Sequence, residues 1–146
     1  MMTDASRKKA LAAFRDLPVG ADLGAIEYVL TPQMAERHLR ATHQTEYPTI
    51  GGQRYAPVSI LASDGIRLVE ASVDIGESVH AGQGMEIFAP PLVGSRIRVR
   101  GRVVDKFEKG GRQFVVIDTV SEDDQGRLLA RGRMTGVARY RPGEEA

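Results

Sequence analysis

The sequence predicts an α+β domain in which a buried helix lies against the apolar face of a long antiparallel sheet. Three observations carry that prediction. The stretch from Arg96 to Tyr140 alternates apolar and polar residues, broken by charged or glycine-rich turns. The stretch Val58 to Ser72 (VSILASDGIRLVEAS) is apolar on nearly all sides, the pattern of a helix that solvent does not reach. The chain has 146 residues, 42% of them hydrophobic and 27% charged, enough for one real core.

The elements follow in order. The opening MMTDASRKKALAAFRDLP has no apolar run long enough for a signal peptide. No part of the chain approaches the roughly 18 apolar residues of a membrane span, so a cytosolic protein is expected. Residues 1–18 read as an N-terminal extension. Leu11, Phe14 and Leu17 repeat at spacing three within Ala5 to Leu17, which suits a short surface helix. A single domain is expected over residues 19–141, with a polar tail at 142–146. Ala25 to Leu30 is a strand. Thr31 is placed to cap a helix whose first position is Pro32, and Met34, Ala35, His38 and Leu39 continue it at helical spacing to about Thr42. His43 to Pro57 carries Pro48, Gly51, Gly52 and Pro57 without periodicity; loops of that length inside a compact domain are usually functional. In the buried helix that follows, Gly65 costs about 1 kcal/mol relative to alanine, which suggests close packing against another backbone.

Strands then dominate. Val79 to Ala89 is one, and Pro90 to Gly94 connects it to the next. In SRIRVRGRVVDKF, Ile97, Val99, Gly101 and Val103 share one face and Arg96, Arg98, Arg100 and Arg102 the other. Lys109 to Arg112 is a hairpin turn, RQFVVIDTVSE returns, and Asp123 to Gly126 turns again. On the last strand Leu128, Ala130, Gly132, Met134, Gly136, Ala138 and Tyr140 share the inward face. Its small residues admit a close neighbour, for which the helix is the expected partner.

Composition excludes several functions. With 20 basic and 19 acidic residues the formal charge is +1, unlike a general polyanion binder. The chain has no cysteine, which removes disulfides, thiolate metal sites and a cysteine nucleophile. Gly82 and Gly84 lie in a strand-like stretch with no helix behind them, so no nucleotide-binding loop is expected. No metal-ligand cluster and no cofactor motif stand out.

The candidate chemistry is sparse. Asp64 sits in the middle of the apolar helix, where a carboxylate is costly unless paired or functional; the alternatives are a solvent-facing strip shared with Arg67 and Glu70, or a break at Asp64-Gly65. His80 opens a strand and has either a structural hydrogen bond or a view of a substrate carbonyl. His43 and Glu46 share the long loop and are an alternative acid–base pair. His38 falls where helix packing explains it. Between Arg96 and Arg141 there are 12 basic and 6 acidic residues, a local excess that suits either a solvated sheet face or a surface for coenzyme A phosphates or an acidic carrier protein.

The order of these parts resembles the hot-dog fold, and more narrowly the MaoC-like hydratase/dehydratase group. The resemblance rests on VGADLGAIEYVLTPQMAERHLRAT (Val19 to Thr42), on RYAPVSIL (Arg54 to Leu61) before the central helix, and above all on Val79 to Arg139. It covers nearly the whole chain. It implies a long helix wrapped by a curved antiparallel sheet, and action on acyl thioesters: hydration of 2-enoyl or dehydration of 3-hydroxyacyl groups. It also implies an aspartate and a histidine five residues apart in the loop before the helix. If Pro48 is the signature proline, those positions are Thr45 and Ile50, and neither is a general base. The chain therefore resembles the N-terminal-type or non-catalytic halves that pair with a dyad-bearing one. On the same resemblance Tyr55, Pro57 and Gly82 are candidates for substrate binding. A coenzyme A or acyl carrier protein thioester is the expected ligand, and a homodimer or a heteromer with a dyad-bearing hot-dog subunit the expected assembly, without nucleic acid or membrane. The alternatives are a hot-dog acyl-CoA thioesterase using Asp64, as other hot-dog enzymes use an acidic residue on this helix, and an acyl-binding module that does no chemistry.

Overall fold

The computed structural model describes residues 11–138. The start of the amphipathic stretch at Ala5, Tyr140 at the end of the last alternation, and the tail 142–146 lie outside the described residues. In chain order the elements are β1 (Asp22–Val29), α1 (Pro32–Ala41), the short pair β2 (Thr49–Ile50) and β3 (Gln53–Arg54), and α2 (Asp64–Ser72). The long strands β4 (Ser78–Ile87), β5 (Arg96–Lys109), β6 (Arg112–Asp123) and β7 (Leu128–Ala138) complete the chain. One antiparallel sheet has the order β1-β5-β6-β7-β4. Helix α2 lies against β1, β5, β6 and β7.

The alternation predicted for β5 holds in register. Ile97, Val99 and Val103 are buried beside Val115 and Ile117 of β6, while Arg96, Arg98, Arg100 and Arg102 face outward and are exposed. The β5–β6 hairpin turns at Gly110 and Gly111, whose φ values of 58° and 72° are the left-handed pair that a two-residue hairpin turn needs. At the start of α1 the Met34 amide donates to Thr31 Oγ1 at 3.2 Å, and Pro32 occupies the first turn. Thr31→Ala should therefore cost about 1 kcal/mol, seen as a fall in melting temperature of roughly 2–4 °C for a domain of this size.

Several expectations need correction. The stretch Val58 to Ser72 is not one helix buried all round: Val58–Ser63 is a 3-10 turn, and α2 begins only at Asp64. Six residues of 3-10 helix is longer than the short 3-10 starts common at helix ends, and Ile60 and Leu61 still reach the core while Val58, Glu70 and Ala71 are exposed. The close neighbour of Gly65 is a side chain and not a backbone; a Cβ there would lie 3.1 Å from Met134 Sδ. On β7 the inward side chain is Leu129, fully buried, and Leu128 is only half-buried. A register shift between Ser121 and Glu122 against Leu128 and Ala130 inserts one residue, and a single insertion reverses the faces. The long loop contains a hairpin of its own, β2 with β3, turning at Gly51 and Gly52.

The small residues of β7 admit something other than the helix. A Cβ on Gly136 would meet Phe14 Cζ at 2.5 Å, and one on Gly132 would meet Thr119 Oγ1 at 2.7 Å. Within the described residues the expected N-terminal surface helix is a single 3-10 turn, Phe14–Asp16. It is held by backbone bonds from Phe14 N to Asp74 O and from Asp74 N to Ala12 O, each 2.9 Å. Phe14 and Leu17 belong to the hydrophobic core.

Candidate functional site

The polar centre of the core is built on Asp64. The first turn of α2 points its carboxylate at the sheet, where it is 1% exposed. Tyr28 of β1 and Ser121 of β6 both stand on the inward face: Tyr28 pairs across the strands with Ile97, and Ser121 with Val99. The Tyr28 hydroxyl donates to Asp64 Oδ1 at 2.6 Å, and the Ser121 hydroxyl donates to Oδ2 at 2.7 Å. Three elements distant in sequence are thus tied through one carboxylate. Arg67, one helical turn on, lays its guanidinium over the Tyr28 ring, 4.7 Å from the centroid.

Burial pushes the Asp64 carboxyl above its ordinary range; the bonds from Ser121 and Tyr28 and the Arg67 charge pull it back without cancelling the rise. Burial also pushes the Tyr28 phenol far above its ordinary value, followed by the charge and hydrogen bond of Asp64, against the opposing charge of Arg67. A base or nucleophile needs an open oxygen. Both Asp64 oxygens are engaged and shielded, so this arrangement braces the helix against the sheet and offers no approach for a substrate. The solvent strip shared with Arg67 and Glu70 is not where Asp64 lies.

The other candidates are dispersed. His80, on the exposed edge strand β4, donates from Nε2 to the carbonyl of Gly82 at 3.0 Å, beside a bulge in the β4–β7 pairing. His43 follows α1 with φ 55°, exposed, and Glu46 is exposed too; no hydrogen bond or ion pair among the described residues joins them. His38 pairs with Ser59 Oγ at 2.7 Å. Tyr55 is buried and donates to Gln53 Oε1 at 3.3 Å, while Pro57 is buried at the start of the 3-10 turn. Gly82 is exposed on β4 opposite Thr135. Thr45 and Ile50 are both exposed, the latter 58% so. No hydrogen bond or ion pair among the described residues joins the loop candidates, the strand candidates and Asp64 to one another, though Gln83 of β4 donates to the Ala62 carbonyl at 2.8 Å.

On the outer face of the sheet the arginines are partly neutralised. Arg133 forms a bidentate pair with Asp118 at 2.6 and 2.8 Å, Arg96 lies 3.6 Å from Glu27, and Arg100 lies 3.9 Å from Glu122. Arg98 and Arg102 make no ion pair within 4.0 Å among the described residues. Sequence reasoning missed Tyr28 and Ser121. The available signal was Ser121 itself, with Thr119, interrupting the inward apolar series Val115 and Ile117 on β6. No helix among the described residues is long and apolar enough to cross a membrane.

No protein-family model matches the sequence, and no curated protein matches it. The fold has many solved counterparts. The R-hydratase PhaJ1 of Pseudomonas aeruginosa is similar with a TM-score of 0.73, over 86% of this chain and 84% of its own, at 14% identity. The MaoC-like dehydratase from Rhodospirillum rubrum is similar at 0.69, over 88% and 97%, with 18% identity. The HadBC (3R-hydroxyacyl-ACP dehydratase) complex of Mycobacterium tuberculosis is similar at 0.68, over 82% and 96%, also with 18% identity. The chain therefore has the hot-dog fold, and many of its structural neighbours are MaoC-like hydratases and dehydratases. At these identities the likeness is one of fold.

Proposed function

We propose that this chain is a dyad-lacking hot-dog subunit for acyl thioesters, paired with a second hot-dog subunit that supplies the acid and base for 2-enoyl hydration or 3-hydroxyacyl dehydration. The observation that carries this reading is the loop before the central helix. Its two expected dyad positions are Thr45 and Ile50, and its candidates His43 and Glu46 have no side-chain hydrogen bond or ion pair among the described residues to tune or orient them. Hydration needs a group that takes a proton from water and one that delivers a proton to the carbon beside the thioester. The core carboxylate of Asp64 is closed off from both tasks.

The free edge of the sheet supports the association. Among the described residues, strand β4 pairs with β7 on one side only. It carries Val79 and Ile87 exposed, followed by exposed Phe88, and no lysine or proline guards its length. Although a bulge at His80 and Gly82 and the charge of Glu86 interrupt it, an edge of ten residues still leaves backbone groups open to another strand. The HadBC neighbour is a complex by name, which is the arrangement proposed for this chain. Coenzyme A or an acyl carrier protein carries the acyl group, with Arg98 and Arg102 as outward charges for its phosphates or acidic surface. The work is proposed to take place in the cytosol.

Co-purification from the native host tests the reading. The expected result is a stoichiometric partner of hot-dog size bearing an aspartate and a histidine five residues apart. Recovery of the chain alone, as a homodimer that hydrates crotonyl-CoA, would overturn it.

A further inference from the structure

Where β5 turns into β6, the outward face of the sheet gathers aromatic rings and cations in one place. Lys106 stands opposite the buried Val115, so alternation turns its neighbour Phe107, and then Lys109, outward. Phe114 lies across from Phe107, and Arg112 across from Lys109. Thr135 of β7, between the inward Met134 and Gly136, stands on the same face, with Gly82 of β4 opposite it. These six residues are among those that line a cavity of about 620 Å³. That is the size of a small-molecule site and far more than a single ion fills. None of the lining residues is acidic, and Asp105, the next outward residue of β5, is not among them.

The lining selects a class of ligand. The Phe107 and Phe114 rings are stacked, with centroids 4.8 Å apart and planes within 5° of parallel. Phe107 is 40% exposed and Phe114 half-buried, so the stack borders the cavity with aromatic surface that solvent still reaches. A planar ring can extend such a stack. Lys109 and Arg112 stand one alternation further along their strands, about 7 Å from the rings. Neither has a side-chain hydrogen bond or ion pair among the described residues. Room is left on the opposite side, since a Cβ on Gly82 would meet nothing within 4 Å. Aromatic surface beside two uncommitted cations suits a flat base that carries phosphates.

We propose that this cavity binds a nucleoside phosphate, its base against the Phe107–Phe114 stack and its phosphates on Lys109 and Arg112. The site lies outside the loop and the core carboxylate discussed above and does not depend on the acyl-thioester reading. The ligand is either a free nucleotide or the nucleotide end of coenzyme A.

Calorimetric titration with ADP, coenzyme A and inorganic pyrophosphate tests this, on the protein as purified with any partner subunit still bound. ADP should bind about tenfold more tightly than pyrophosphate, which has the charge but no base. Phe114→Leu keeps an apolar side chain but removes the stack; it should weaken ADP about tenfold and leave pyrophosphate unchanged. Lys109→Gln combined with Arg112→Gln alters only exposed positions at the hairpin tip, and should weaken ADP and pyrophosphate alike by about tenfold. Coenzyme A binding about tenfold more tightly than ADP assigns the site to its nucleotide end, and coenzyme A binding no more tightly than ADP assigns it to a free nucleotide. Absence of ADP binding, pyrophosphate binding as tightly as ADP, or ADP affinity unchanged in either variant overturns the proposal.

Discussion

Asp64→Ala should lower the melting temperature by on the order of 10 °C, the signature of a loss of several kcal/mol in a domain of this size. The reason is the pairing around the carboxylate. Removing it leaves the Tyr28 and Ser121 hydroxyls, now bonded to it at 2.6 and 2.7 Å, without an acceptor in the core. Each orphaned buried hydroxyl costs about 1–3 kcal/mol, so two cost roughly 2–6. Against a typical domain stability of about 5–15 kcal/mol that is a large share. Thermal melting of the variant measures it, and a loss below about 1 kcal/mol would mean that the three groups are not a unit.

Asp64→Asn separates charge from shape. The folded carboxyl has its pKa raised above the ordinary 3.8, because burial outweighs the hydroxyl bonds and Arg67. A group raised on folding favours the fold fully below its unfolded value and loses that contribution as pH rises through its folded value. The wild-type advantage over Asp64→Asn should therefore be greatest below pH 3.8 and shrink as pH climbs through the raised value. Urea unfolding of both proteins across that window reads the difference. An advantage that grows with pH would mean that the hydroxyl bonds dominate and hold the pKa down.

Phe14→Ala should be comparably costly. Truncating a buried phenylalanine typically loses about 3–5 kcal/mol through lost burial and the cavity left behind. Phe14 is 3% exposed and fills the space that Gly136 leaves on β7. Gly136→Ala attacks the same contact from the other side, since its methyl would meet Phe14 Cζ at 2.5 Å; overpacking of this kind costs about 1–3 kcal/mol. The two changes should not add. In the double variant the new methyl occupies part of the vacated space, and a combined loss smaller than the sum of the single losses would show the coupling. Strict additivity would mean that ring and strand do not form one packing unit.

These residues mark where the sequence could be read and where it could not. The cap at Thr31-Pro32 and the alternation of β5 rest on neighbours in the chain, so spacing alone reveals them. The turn at Gly110 and Gly111 is legible for the same reason. The partners of Asp64 lie 36 and 57 residues away, and a contact of that separation leaves no local pattern. Composition shows a carboxylate in an apolar stretch, but not whether it is paired. Alternation places Leu128 on the wrong face because it assumes no bulge, and the register shift beside Ser121 reverses the faces. Phe14 was readable as one apolar residue of a repeat; its seat on Gly136 was not, since it depends on how the chain start meets the far end of the sheet. The resemblance to the MaoC-like group carried the fold. It could not by itself assign a role to a loop in which the dyad positions hold Thr45 and Ile50.

The most direct measurement of the central claim is an enoyl-thioester hydration assay on this chain alone and on the chain with the hot-dog partner that co-purifies with it. The chain alone should hydrate crotonyl-CoA no faster than background, and the pair should hydrate it clearly. Turnover by the isolated chain at the rate of the pair would mean that this chain carries its own acid and base.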